Sequence, residues 1–131
     1  MDWLQPPSTN GKKINMSESP AEWTAELPSS LTQALILEVM EQIEKDFGLM
    51  GFTFTTTNPL NLESLLPELT ECVAQLQQHH HGTWMKVVYR VDLTEKQYKF
   101  VQRMGGNTPE NMAKAVILRE FQKVYTRKHF S

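Results

Sequence analysis

The chain is 131 residues long, 40% hydrophobic and 21% charged, with a formal net charge of −2 at pH 7. That length supports one domain, burying roughly two-thirds of its unfolded surface without a disulfide or metal staple. The composition excludes a wholly disordered, a collagenous or an overall basic chain.

No run approaches the ~20 apolar residues of a transmembrane helix. The start, Met1-Asp2-Trp3-Leu4-Gln5-Pro6, lacks the basic region and apolar run of a secretory signal. A lone cysteine, Cys72, cannot pair within the chain, so a reducing cytoplasm is the expected location. Net charge hides an asymmetry. Residues 1–84 carry three basic against eleven acidic side chains, and residues 85–131 carry ten against four. Either the basic half meets an acidic partner or nucleic acid, or the two halves neutralise each other within the fold.

Residues 1–28 read as an extended or flexible N-terminal arm. Pro6, Pro7, Pro20 and Pro28 interrupt Ser, Asn and Gly without an apolar period, and Trp3 and Trp23 are the only large anchors. Met16-Ser17-Glu18 also reads as an alternative chain start. A single helical domain is expected over residues 29–131.

Its first helix runs from about Leu31 to Phe47. Ser30 with Gln33 makes a capping-box pattern, Leu35, Ile36, Val39, Met40, Ile43 and Phe47 form the apolar stripe, and Gly48 supplies the stop. Glu38, Glu41 and Glu44 share the other side as a solvated acidic face, and no His or Asp joins them at metal-ligand spacing. Phe52 and Phe54 alternate with threonines, as in a short strand, before Asn58-Pro59 breaks the run.

A second helix is expected from about Leu62 to Gln78, capped by Asn61, with Pro67 near its start. His79-His80-His81-Gly82 closes it. Cys72 and His79 lie two turns apart, but zinc needs further ligands and there is no second cysteine, so no metal or cofactor is expected. Cys72, inside a leucine-lined helix, reads as a packed thiol rather than a nucleophile.

Residues 84–93 are two-faced. At period 2, Val87, Tyr89, Val91 and Leu93 alternate with Lys86, Val88, Arg90 and Asp92, as a strand would; at period 3.6, Trp84, Val87, Val88 and Val91 line one helix face with Thr83 as N-cap. Thr94 with Gln97 opens a further helix to about Met104, ended by Gly105-Gly106. Thr108 then caps a last helix with Pro109 at its first position, reaching about Arg127. Ala113, Ile117, Leu118, Phe121, Val124 and Tyr125 are its core face. Arg119, Lys123 and Arg127 recur at i, i+4, i+8 on the opposite face, and Lys96, Lys99 and Arg103 cluster on the preceding helix. These six cations are the expected partner-binding residues.

No phosphate-binding glycine loop, dinucleotide fingerprint, zinc-protease motif or nucleophile elbow occurs, so no enzyme is expected and no catalytic residue is assigned. The segment Met85–Phe121 resembles a ribbon-helix-helix DNA-binding module. The resemblance implies a dimer whose paired strand enters the major groove, with Lys86, Val88 and Arg90 reading bases. Tyr89-Arg90-Val91-Asp92-Leu93-Thr94-Glu95 and Arg119-Glu120-Phe121-Gln122-Lys123-Val124 are similar to a group of small uncharacterised bacterial cytoplasmic proteins. That resemblance covers roughly residues 30–130 and implies a mostly helical fold.

The expected fold is therefore mainly α, a small bundle of four or five helices. The alternative is α+β, with a two-stranded element pairing Phe52–Thr57 and Val87–Val91. The expected function is a non-enzymatic cytoplasmic interaction protein whose basic C-terminal helical surface binds an acidic protein surface. A ribbon-helix-helix regulator bound to nucleic acid is the alternative. No membrane is expected as a partner, and a homo-oligomer is compatible with either reading.

Overall fold

The computed structural model describes residues 27–28 and 31–130, for the last of these the backbone alone. Trp3, Trp23, the alternative start at Met16 and most of the expected arm lie outside the described residues. So does Ser30, the expected cap of the first helix. Leu27, at the end of that arm, is buried against the core.

Five α-helices form among the described residues: α1 Gln33–Asp46, α2 Leu66–His79, α3 His81–Val91, α4 Glu95–Arg103 and α5 Thr108–Phe130. The two-stranded alternative does not form, since no strand occurs among the described residues. Helix α1 is capped by Thr32, whose Oγ1 accepts from the Leu35 amide at 3.2 Å. Its buried stripe is Ile36, Val39, Met40 and Ile43, continued by Phe47. The chain then tightens through a 3-10 turn, Gly48–Met50, and reverses at Gly51, whose φ of 71° favours a residue without a Cβ.

The alternating segment after Gly51 is extended without pairing. Phe52 and Phe54 meet edge to face at 4.9 Å between centroids. The Phe54 amide donates to Glu44 Oε2 at 2.9 Å. The amides and hydroxyls of Thr55 and Thr56 all donate to the Glu68 carboxylate, at 2.7–3.2 Å. Backbone donors that a partner strand would take are thus satisfied by two carboxylates. Burial opposes the charge on Glu68, but these donated hydrogen bonds outweigh it and hold its pKa below the ordinary value.

Asn61 accepts from the Ser64 amide at 3.0 Å and starts the 3-10 turn Leu62–Leu65 that leads into α2, with Pro67 in that helix's first turn. The break between α2 and α3 is one residue, His80, at φ −142° and ψ 57°. Gly82 is therefore not a stop, and Thr83 is not a cap; both lie in the first turn of α3. Residues 84–91 are helical and bury Trp84, Val87, Val88 and Val91. A strand would have placed Tyr89 with Val87 and Val91, yet Tyr89 is 84% exposed.

Asp92 closes α3 in the left-handed conformation at φ 73°, which Asp tolerates better than most residues. The Thr94–Gln97 capping box that opens α4 is formed, with reciprocal bonds of 3.1 and 3.0 Å. At the start of α5 the cap is Asn107 rather than Thr108. Its Oδ1 accepts from the Glu110 amide at 3.0 Å.

Helix α5 organises the rest. Its 23 residues span about 34 Å at the usual rise, and it packs against α1, α2, α3 and α4. Buried positions occur all around it, from Met112, Ala113, Ala115 and Val116 to Gln122, Val124 and Tyr125. No face of α5 is wholly free for solvent over its central turns.

Among the described residues Trp84 is the largest side chain with no solvent exposure, and its Nε1 donates to the Tyr98 hydroxyl at 3.0 Å. Trp84→Ala is expected to cost about 3–5 kcal/mol in urea denaturation. Trp84→Phe, which keeps much of the volume but loses the hydrogen bond, is expected to cost distinctly less.

Candidate interaction surface

The six expected partner-binding cations divide into two groups in space. On α5, Arg119 donates from Nη2 to Asp92 Oδ2 at 2.8 Å, from Nε to the Asp92 carbonyl at 3.2 Å and from Nη1 to Gln122 at 2.8 Å. Lys123 Nζ reaches Asp46 Oδ2 at 2.6 Å and the carbonyl of Arg90 at 3.2 Å. Arg127 donates to Gln42 Oε1 at 3.0 Å, and Gln42 in turn donates to Asp46 at 3.2 Å. Lys128, one residue on, pairs with Glu38 at 2.6 Å.

The expected solvated stripe of Arg119 and Lys123 is therefore corrected. Each side chain is only 20% exposed, because α5 lies inside the bundle and its cations reach the acidic C-terminal end of α1 and the end of α3. Arg127 is exposed at the far end but turns toward the same network.

Asp46 and Glu120 give this network two buried carboxyls. Burial would raise the Asp46 pKa, but hydrogen bonding with Glu120 and Lys123, with the Lys123 charge, lowers it below the ordinary value. Glu120 has no exposed surface. Burial first, then its hydrogen bond with Asp46, pushes its pKa up to about 9 despite Lys123. Lys123 Nζ is 2.7 Å from Glu120 Oε1, but outside hydrogen-bond direction, so neither Glu120 oxygen receives a hydrogen bond from a protein donor.

The α4 group is different. Lys96, Lys99 and Arg103 are exposed, and Lys99 makes only a 3.4 Å pair with its helix neighbour Glu95. Beside them lies a surface that the cation pattern does not reveal. The outer face of α3 exposes Met85, Lys86, Tyr89 and Arg90, with Leu49 and Met50 exposed on the turn after α1.

A groove of about 460 Å³ runs between α3 and α4, lined by Val88, Tyr89, Leu93, Tyr98, Lys99 and Gln102 among others. The hydrogen bond from buried Trp84 fixes the Tyr98 wall. A shallower depression between Leu49 and Arg90 adjoins it, and Met85 and Tyr89 border both. The helical period of residues 84–91 is the signal for this face, because it turns Met85, Lys86, Tyr89 and Arg90 away from the buried four.

Elsewhere, Cys72 is buried and its thiol points at Met50 Sδ, 3.5 Å away; burial pushes its pKa up to about 11. His79, His80 and His81 are exposed, and no three metal-ligating side chains come together among the described residues. None of the helices described is long and apolar enough to cross a membrane. Comparison with protein-family models, curated proteins and solved structures gives no match to this chain.

The two groups of cations are expected to differ in stability measurements. Lys123→Ala leaves buried Asp46 without its cation and is expected to cost about 3–5 kcal/mol. Lys96→Ala and Arg103→Ala are expected to stay within about 0.5 kcal/mol of the parent. Urea denaturation of the three variants checks both.

Proposed function

We propose that this is a non-enzymatic cytoplasmic interaction protein, and that an acidic protein surface docks on its α3–α4 face. The observation that carries the reading is Tyr89, 84% exposed between two depressions and flanked by Lys86 and Arg90. Tyrosine and arginine dominate binding energy at interfaces because they combine large contact area with directed polar groups. An exposed apolar surface with a charged rim is the usual form of a docking site on a soluble domain.

The basic residues on this face outnumber its acids. Lys86, Arg90, Lys96 and Arg103 make no ion pair among the described residues, whereas Asp92 is taken by Arg119 and Glu95 by Lys99. The cations left available therefore select an acidic partner and raise its association rate. The α5 members of the expected site serve this reading indirectly, by holding the end of α3 through Asp92 and the Arg90 carbonyl.

An apolar groove floor fits a protein side chain better than a phosphate backbone. Met85, Val88 and Leu93 offer a sugar–phosphate chain no donors. The strand that a ribbon-helix-helix regulator needs falls where α3 is helical. A reducing compartment suits the single buried thiol.

A photo-crosslinking residue at position 89, compared with one at exposed Gln78 on α2, tests the reading in the native host. Capture of an acidic protein from position 89 alone, lost in Lys86→Glu/Arg90→Glu, is expected. Tyr89→Ala should then weaken purified-partner binding by at least ~2 kcal/mol while leaving the fold intact. Equal capture from both positions, or duplex DNA as the species bound, contradicts it.

A further inference from the structure

We propose that Asp46, Lys123 and Glu120 form a proton-holding latch, in which one hydrogen shared between the two carboxyls fastens α5 to α1 and α3. The case begins with charge and burial. Lys123 Nζ stands 2.6 Å from Asp46 and 2.7 Å from Glu120, so two carboxyls converge on one ammonium group. Glu120 is 0% exposed and Asp46 8% exposed. If both carboxyls were ionised, the cluster would carry an uncompensated negative charge inside the bundle, which burial strongly disfavours.

The hydrogen-bond accounting points the same way. An ionised Glu120 only accepts, and neither of its oxygens receives a protein donor in hydrogen-bond direction. Buried polar atoms are seldom left in that condition. A neutral Glu120 carries an O–H and becomes a donor, and the Asp46 carboxyl that can accept from it converges with it on the same ammonium group, at 2.6 and 2.7 Å from Lys123 Nζ. Asp46 then accepts from three sides: Glu120, Lys123 and Gln42. One added proton removes the net charge and gives the orphaned carboxyl a bond.

Among the described residues, Lys123 is the one cation that acts on Glu120. From α1 the group facing Glu120 is Asp46, and from its own helix it is Lys123. Helix α3 contributes carbonyls, those of Arg90 and Val91, which also draw on Lys123 at 3.2 and 3.5 Å. No charged group of α2 among the described residues acts on Glu120, and Arg127 donates to neutral Gln42 at 3.0 Å. The raised Glu120 and lowered Asp46 values are those of a pair that keeps one proton between them.

The pH dependence follows. An unfolded Glu120 ionises near its ordinary value of 4.5, whereas the folded one keeps its proton up to about 9. Below the lower value both states are protonated and the contribution of Glu120 is complete. Between the two values the unfolded state sheds a proton that the folded state keeps, so stability declines with rising pH. Above the upper value the decline stops. Asp46 acts in the opposite sense: its contribution is present above its ordinary 3.8 and is lost as the pH falls through its lowered folded value.

The test measures the carboxyl carbon of Glu120 by NMR in the intact chain, together with stability against pH for the parent and Glu120→Gln. The Glu120 carboxyl signal should stay in its protonated position through neutral pH and move only near 9. The folding equilibrium constant of the parent should fall, relative to Glu120→Gln, by up to about tenfold per pH unit between about pH 5 and about pH 9. If Glu120→Gln fails to fold, the carboxyl titration of the parent decides alone. A Glu120 carboxyl that titrates in the ordinary glutamate range, or parallel stability curves for the two chains, overturns the proposal.

Discussion

A helix covered on several sides has to bring its charged side chains into the protein with it, and each must meet a partner there. In this chain the helix is α5, and the side chain that matters most is Lys123. Its ammonium group lies between a carboxylate at the C-terminal end of α1, a carboxyl on its own helix and two carbonyls at the end of α3. Three helices therefore meet at one ammonium group. The apolar contacts of α5 provide most of the driving force, but they do not set its rotation. Turning it would bury Lys123 or Arg119 away from oxygen partners, at the high cost of an unpaired interior charge.

The same junction explains the uneven charge of the chain. The acidic N-terminal half supplies Glu38 and Asp46, and the basic C-terminal half supplies Lys128 and Lys123, so long-range pairs stitch the two together. Four of the exposed cations that make no ion pair among the described residues lie on α3 and α4. There Lys86 and Arg90 flank Tyr89, and Lys96 and Arg103 are exposed on α4, the helix that forms the other wall of the groove. Internal neutralisation and the proposed basic docking face are compatible, because the cations paired inside the bundle are not those exposed on α3 and α4.

Features set by local chemistry were legible in the sequence. The capping box of α4 depends on residues three apart, and Asn61 likewise caps its own turn. The α5 cap lay one position from the expected place because Asn107 and Thr108 are both good capping residues, and only geometry selects between them. Gly82 carried a misleading signal: three histidines and a glycine resemble a helix terminus, but the chain turns at His80 and Gly82 continues the next helix.

Other features depended on partners distant in the chain. The alternation of Phe52 and Phe54 was visible, whereas the carboxylates of Glu44 and Glu68 that replace a partner strand were not. An i, i+4, i+8 row of cations looks the same whether it faces water or reaches buried acids, so the spacing of Arg119 and Lys123 does not by itself separate the two arrangements. The most direct measurement is a double-mutant cycle between Asp46→Asn and Lys123→Met, read by urea denaturation. A junction that locks α5 predicts a coupling of about 2–3 kcal/mol between the two positions. A coupling below about 0.5 kcal/mol, with each variant stable and additive, would contradict the account.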